Sequence, residues 1–447
     1  MATRLSLESG PGRKICIWMF WLGLATQLGL ALVIDKPWMT GDSDFYIRLA
    51  GSIDHGFYGW LREGAVQPDA LRPPGYPAIL WLLLYRLHFI LALVVALQMV
   101  LYLASVLLIA RRLDEDGVSP IPFGLLALIY PFGAIYCGFV MAEAWATIAL
   151  TCLALLVSSQ SLTTPRLAGA GLIAGLATLF RGDLLLLPLA IAAIALARDW
   201  RSVPIPRMAF RALVPVLAAA AMLTPYTLWN GRHFDRLSPI PVASAVGNSL
   251  YLATWQGKMP LDDLNALYAR RFTPRVEASG LASEIRRLNA SLGADPLTAP
   301  FNPAAYPTNQ QQRQSSAIFL EAAKARIVAD PASYARHVAR NFWALWNTSN
   351  YPGAIPPIGQ WGLALISGLV CIAGLVGVLV AMQTRRPIAA CGLILLYPMI
   401  IHLPLHTEAR YTAAVRPLLL MFASLTVLWL VKCYRTGQWQ FGREALG

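Results

Sequence analysis

Carboxylates are scarce in this chain. Aspartate and glutamate number 23 among 447 residues, and charged residues of both signs make up 13%, about half the roughly 25% of a soluble domain. So little charge cannot dress a water-exposed surface, which excludes an ordinary soluble enzyme. Cysteine is scarce as well. Cys16, Cys137, Cys152, Cys371, Cys391 and Cys433 all lie in or beside apolar runs and none lies in the long polar stretch, so no disulfide framework is expected. No CxxC or Cys/His spacing of a zinc site occurs. The formal charge is +13, but basic runs interleaved with aromatics on a polar face are missing, so nucleic acid is not an expected partner. Internal repeats and extended low-complexity tracts are also missing.

What fills the chain is apolar: 57% hydrophobic residues, with a mean hydropathy of +0.54. Charges are expelled from hydrocarbon at about 3 kcal/mol each, so this is the composition of a membrane protein whose nearest partners are lipids. The first apolar run, Ile15 to Ile34, follows Arg4, Arg13 and Lys14. It exceeds a signal-peptide core and is followed by Asp35-Lys36-Pro37-Trp38 instead of a small-residue cleavage site, so it reads as an uncleaved span. Further spans are expected near Phe89–Ala110, Ser119–Val140, Ala144–Val157, Leu167–Phe180, Leu184–Ala197, Ala209–Leu228, Trp361–Met382, Ile388–Leu403 and Thr412–Val431. The expected fold is an all-α polytopic membrane protein of about ten transmembrane helices.

Loop charge orients it. With a cytoplasmic N-terminus, the same side receives Arg111/Arg112, Arg166, the group Arg198, Arg201, Arg207 and Arg211, Arg385/Arg386, and the C-terminal Lys432, Arg435 and Arg443. The outer, non-cytoplasmic side then receives the loop 35–77, the turns at Glu143 and Arg181, the segment 230–360 and the loop His402–Arg410. Three parts follow: 1–229 with the outer loop 35–77, the outer segment 230–360, and helices and tail 361–447. Within the outer segment, Asp330-Pro331 reads as an N-cap and first helical residue, with Tyr334, Val338, Phe342, Leu345 and Trp346 at helical spacing over about four turns. Thr308 to Ser316 reads as loop or helix start.

The outer pieces carry the chemistry-bearing residues. In GDSDFYIRLAGSI, Phe45, Leu49 and Ile53 recur at helical spacing, so the first outer loop is expected to hold an amphipathic surface helix, with an aspartate suited to capping it. Asp44 and Arg48 are four apart and can pair, leaving Asp42, below Tyr46, as the freer carboxylate. A divalent ion clamped by both aspartates would require them to lie in an irregular loop. In LRPPGYPAIL the prolines stiffen the chain beside Arg72, which would meet a phosphate headgroup either as a ligand or as ordinary bilayer lipid. Glu143 sits between apolar stretches and must face a polar cavity, a partner or its own helix terminus. Arg181 and Asp183 are either an internal pair or a ligand contact. HLPLHTEARYTAAVRP gathers His402, His406, Glu408, Arg410, Tyr411 and Arg416, with Pro404 weakening any helix that would align the two histidines on zinc. Tyr58, Trp60, Tyr251 and Trp255 are interface anchors or sugar-stacking rings.

In chain order these motifs, GDSDFYIRLAGSI, RPPGYPAILWLL, MAEAWATIALTCLALL, GLATLFRGDLLLLPL, LTPYTLWNGRHFDRLSPI and EARYTAAVRPLLLMFAS, resemble the GT-C class of integral-membrane glycosyltransferases over nearly the whole chain. The likeness is particularly to bacterial relatives of protein O-mannosyltransferases and of lipid A aminoarabinose transferases. The resemblance implies an inverting hexosyl- or pentosyltransferase at the outer face of the cytoplasmic membrane. It would take a polyprenyl-phosphate sugar donor and a lipid, glycan or protein acceptor; no cofactor is expected, with a divalent metal as the alternative. It implies catalytic roles for Asp42, Asp44 as its reserve, and Glu143. Donor-phosphate contacts would come from Arg72, Arg181, Arg410 and Tyr411, and further substrate contacts from Tyr46, Tyr76, His406 and Glu408. Relatives often carry two adjacent acidic residues where this chain has Asp42-Ser43-Asp44. The alternative class is a flippase of lipid-linked sugars, although transporters tend to place ionisable residues at mid-membrane in related halves.

Overall fold

The computed structural model describes residues 39–437, apart from 63, 131, 201, 244–245, 257, 260–262, 264–265, 268–270, 299–305 and 348–356. The expected first span, Ile15–Ile34, and the tail with Arg443 lie outside the described residues.

Helix α1 (Gly41–Asp54) begins at Thr40. The Ser43 amide donates to Thr40 Oγ1 and the Thr40 amide to Ser43 Oγ, a reciprocal capping box. The cap expected of an aspartate therefore belongs to Thr40. Asp42 and Asp44 lie within the first turn, where their charge complements the free N–H groups. Leu49 and Ala50 point inward, fully buried.

The chain then departs from the all-α expectation. Strands β1 (Gly59–Arg62) and β2 (Ala65–Pro68) pair antiparallel, with Arg62 opposite Ala65. Gly64, at φ +80°, supplies the left-handed turn residue, and Trp60 and Val66 favour the extended backbone. Helix α2 (Gly75–Leu80) runs on as a π-helical stretch, Trp81–Arg86. Gly75 lies so close to the C-terminal turn of the helix Thr164–Phe180 that a Cβ would fall 2.5 Å from the Leu179 carbonyl oxygen. This contact packs the start of α2 on the helix end that leads to Arg181.

Helices α3 (Leu91–Glu115), α4 (Ile121–Ile129), α5 (Phe132–Cys137), α6 (Glu143–Val157), α7 (Thr164–Phe180), α8 (Leu187–Asp199) and α9 (Ile205–Phe234) follow. The span expected over Ser119–Val140 is broken between α4 and α5, where Pro131 cannot donate to a helical ladder. Beyond an inserted segment of five helices come α15 (Pro357–Gln383), α16 (Cys391–His402) and α17 (Arg416–Thr436), the last two preceded by 3-10 turns at Pro387–Ala390 and Ala409–Val415. Among the described residues four segments are long and apolar enough to cross a membrane: Leu91–Glu115, Ile205–Phe234, Trp361–Gln383 and Ala409–Thr436. Glu143–Val157, Thr164–Phe180 and Pro387–His402 are shorter apolar pieces. The spans expected over Ala144–Val157 and Leu167–Phe180 are single helices close to those bounds, whereas that expected from Ile388 opens in a 3-10 turn and carries Pro398 inside its helix.

Glycine lets the long helices meet backbone to backbone. A Cβ on Gly171 would stand 2.3 Å from the Pro215 carbonyl oxygen, and one on Gly377 would stand 1.8 Å from that of Phe422. Gly377→Ala is therefore expected to part α15 from α17 and lower stability by about 1–3 kcal/mol. Gly124→Ala, with nothing within 4 Å, should leave the melting temperature in detergent at or slightly above that of the unaltered chain.

The insertion comprises α10 (Val246–Gln256), α11 (Pro274–Ala278), α12 (Leu281–Ser291), α13 (Asn309–Ala329) and α14 (Pro331–Trp346). It has its own core, including the fully buried Tyr251, Val276, Leu281, Ile285, Tyr306 and Phe319. Thr308 and Gln311 form a second capping box, so the polar stretch from Thr308 is a helix start. Asp330 caps α14 by accepting from the Ser333 amide at 3.0 Å, with Pro331 at its first position. Leu345 and Trp346, both fully buried, return the chain to the main helical core.

Candidate active site

Helix ends distant in sequence converge beside α1. Arg410, in the 3-10 turn before α17, donates from Nη1 to Asp42 Oδ2 at 2.8 Å, across 368 residues of chain. Arg72, just before α2, brings Nη2 to 3.6 Å from Asp42 Oδ1. The Arg410 guanidinium also faces Glu408, Nε to Oε2 at 2.8 Å. Glu408 Oε1 lies 3.1 Å from His406 Nε2, and His406 Nδ1 lies 2.6 Å from Gln256 Nε2 at the end of α10. The insertion is thus tied to Asp42 through four side chains.

A second layer lies deeper. Arg181, just past α7, holds Asp183 with Nε and Nη2 at 3.2 and 3.0 Å, and Glu143, the first residue of α6, with Nη1 at 3.3 Å. Asp183 also pairs with His402 Nε2 at 2.9 Å. Burial alone would raise the Asp183 carboxyl, but the Arg181 guanidinium and His402 outweigh it and hold the group well below the usual carboxylate range. Tyr411 joins the layers: its ring stacks on His402 at 4.4 Å, with the guanidinium carbons of Arg181 and Arg410 at 5.8 and 5.5 Å from its centroid. The side chain of Asp42 is 37% exposed and that of Glu143 only 5%, so Asp42 stands at the mouth and Glu143 at the floor.

Arg72 is held by its backbone. Its N–H donates to Asp69 Oδ2 at 2.7 Å, and its carbonyl accepts from the hydroxyls of Tyr58 and Tyr226 at 3.0 and 3.2 Å. Trp60 Nε1 donates to the other Asp69 oxygen at 2.8 Å. Its guanidinium lies over the Phe45 ring at 4.1 Å, and Nη1 is buried without a hydrogen-bond partner. Such an atom normally has a partner, so the arrangement is ready for an anion's oxygen.

Of the residues expected from the outer pieces to form the site, Asp42, Arg72, Glu143, Arg181, His406, Glu408, Arg410 and Tyr411 come together here. Tyr46 borders them, its ring edge-to-face on Tyr76 at 5.0 Å. Burial, with Asp42 and Glu143 nearby, pushes its phenol above the ordinary value, so it stays protonated. Tyr76 is fully buried beneath it and donates to Gln98 at 2.8 Å. Asp44 turns to Arg48 at 2.8 Å on the exposed face, as its spacing indicated. Asp42, by contrast, is not free: two guanidiniums engage it. Arg416 is not at the mouth but fully buried, donating to backbone carbonyls. His402 and His406 serve different carboxylates, and among the described residues no group of three or more His, Cys, Asp or Glu is placed to hold a metal. With guanidiniums nearest Asp42, the mouth suits an anion better than a divalent cation. Asp69, Tyr58 and Tyr226 are supporting residues that the motifs did not single out for this role. Asp69, three before Arg72 and followed by Leu71 and two prolines, fits a side-chain-closed turn.

The rim predicts an acid limit. Burial would raise the Glu408 carboxyl, but Arg410 and His406 hold it down at about 2. Its unfolded value is near 4.3, so its contribution is complete above pH ~5 and is lost as pH falls toward 2. Thermal melts between pH 6 and 2.5 should show this loss, and Glu408→Gln should flatten that part of the profile.

No family model and no curated protein matches the chain. A crystal structure of ArnT from Cupriavidus metallidurans bound to undecaprenyl phosphate superposes with a TM-score of 0.36 at 13% identity, over 93% of this chain and 77% of that one. So loose a superposition carries no functional argument, which rests on the residues above.

Proposed function

We propose that the chain is an integral-membrane glycosyltransferase that moves a sugar from a polyprenyl-phosphate donor to a hydroxyl acceptor at the outer face of the cytoplasmic membrane. The observation that carries this reading is Asp42 at the mouth, set between Arg410 and an Arg72 whose buried Nη1 has no partner. Together these offer a carboxylate for a proton and a guanidinium for a phosphate, side by side, on a protein with helices fit to cross a membrane.

The donor phosphate takes Arg72, the longer of the two contacts to Asp42, and Asp42 stays held by Arg410. The acceptor oxygen attacks the anomeric carbon as the bond from that carbon to the phosphate oxygen breaks. Asp42 accepts the hydroxyl proton, and the leaving phosphate keeps the electron pair and gains charge against Arg72 and Arg410. One displacement inverts the anomeric centre. Glu143 and Asp183 act through Arg181, which they fix beneath the mouth. Their role is positioning.

Purified protein supplied with sugar-charged undecaprenyl phosphate and a membrane extract as acceptor source should release undecaprenyl phosphate and form a new glycosidic bond. Movement of the charged lipid between leaflets with no new bond would overturn this reading in favour of a flippase.

A further inference from the structure

A second concavity lies between the end of α1, the hairpin and the end of α9. It has a volume of about 690 Å³ and is walled by Ile53 and Phe57 from the end of α1 and the turn after it, Tyr58 and Val66 at the hairpin, and Trp229 and His233 from the last turns of α9. That volume lies within the ~300–1,000 Å³ of small-ligand sites. Its wall is aromatic and continuous: Trp229 packs against Tyr58 at 5.4 Å, Tyr226 at 5.8 Å and His233 at 4.5 Å between ring centroids. Tyr58 and Tyr226 are the two residues whose hydroxyls hold the Arg72 carbonyl. Tyr58, in the cavity wall, therefore also holds the backbone that carries the guanidinium at the mouth.

We propose that this cavity binds the carbohydrate part of the acceptor, so that the acceptor is a glycan or glycolipid headgroup. A pyranose presents a face of C–H bonds to an aromatic ring and keeps its hydroxyls for the polar edges. Tyr and Trp rings with polar handles, plus an imidazole, suit that chemistry. A polyprenyl tail fits less well, because the α9 end beside the cavity carries the exposed, charged or polar Arg232, His233, Asp235 and Arg236. A peptide strand fits less well too. Asn309 donates to the Pro68 carbonyl at 2.9 Å and accepts from the Gln67 side chain at 2.9 Å, covering the end of β2 where an added strand would begin. Naming the occupant an acceptor rests on the glycosyl-transfer reading, whereas carbohydrate binding does not.

The test uses the full chain in lipid nanodiscs, an array of defined oligosaccharides, and undecaprenyl phosphate as a separate binding probe. Val66→Trp fills the opening from a half-exposed position, where folding should be unaffected, and Trp229→Ala strips the wall. A subset of oligosaccharides is expected to be retained by the unaltered chain and to bind at least tenfold more weakly to both variants, with undecaprenyl phosphate binding unchanged in Val66→Trp. Retention of no oligosaccharide, or equal retention by Val66→Trp, would overturn the proposal. So would parallel loss of undecaprenyl phosphate binding in both variants, which would mark the cavity as the tail's. Oligosaccharide binding sensitive to both variants, without any sugar transfer, would uphold the cavity's ligand class and refute only the transferase reading.

Discussion

Asp42→Asn should slow sugar transfer by about 10²–10⁴-fold, the usual range for loss of a general base, while donor binding holds or tightens. The sign of the second effect makes the experiment informative. The Asp42 carboxyl group contacts Arg72 and Arg410, and under the proposed transfer a donor phosphate competes with it for the same guanidiniums. Asparagine keeps the shape and still offers an oxygen to Arg410 Nη1, so the mouth should stay assembled. The capping box of α1 belongs to Thr40 and Ser43 and is untouched. Removing the charge leaves the guanidiniums to the phosphate. A falling kcat with an equal or lower donor Kd is the expected pair of results, read by initial rates and by calorimetric titration of the donor. Asp44→Asn should change the rate less than twofold, because Asp44 faces away and pairs with Arg48 at the exposed surface. An undiminished rate in Asp42→Asn would overturn the assignment of the base.

Much of this was legible from local spacing. The i,i+4 relation of Asp44 to Arg48 separated the two aspartates, and Asp330-Pro331 marked the start of α14. Hydropathy and loop charge alone group Asp42, Arg72, Glu143, Arg181 and Arg410, whose side chains pair in the structure. What local spacing could not give was the partner of Asp42, because Arg410 is 368 residues away and their meeting depends on how α1 packs on the later helices. The hairpin was missed for a different reason. A helical period ran into it from α1, and the turn is fixed by the backbone of one glycine, Gly64, more than by any apolar pattern. The Arg72 support was missed because Asp69, Tyr58 and Tyr226 act on its backbone, and a motif read for side-chain chemistry does not show which residues hold a main-chain carbonyl.

The largest stability effect is expected at Arg416, which sequence proximity to Arg410 had grouped with the mouth. Its guanidinium is fully buried and bonded to the Tyr130 hydroxyl, to the carbonyls of Leu345 and Trp346 at 3.2 and 3.3 Å, and to that of Ala409 at 3.4 Å. Two of these carbonyls belong to the last turn of α14, where a cation satisfies acceptors that have no amide partner and complements the helix dipole. Arg416→Met fills much of the volume but leaves several buried acceptors without a donor, at about 1–3 kcal/mol each, so a loss of roughly 3–5 kcal/mol is expected. Lysine should not rescue it, since one ammonium cannot reach acceptors spread across the fork of a guanidinium. Thermal unfolding in detergent should show the drop, and a melting temperature within about a degree of the unaltered chain would refute it. Arg410→Ala separates the two roles: its side chain is 26% exposed at the mouth, so transfer should fall with a smaller drop in melting than that of Arg416→Met, limited to the loss of its pairs with Glu408 and Asp42. Arg416→Met should also slow transfer in the fraction still folded, because Ala409, one of its acceptors, immediately precedes Arg410. Arg416 would then be the residue through which the end of α14 sets the position of the guanidinium on Asp42.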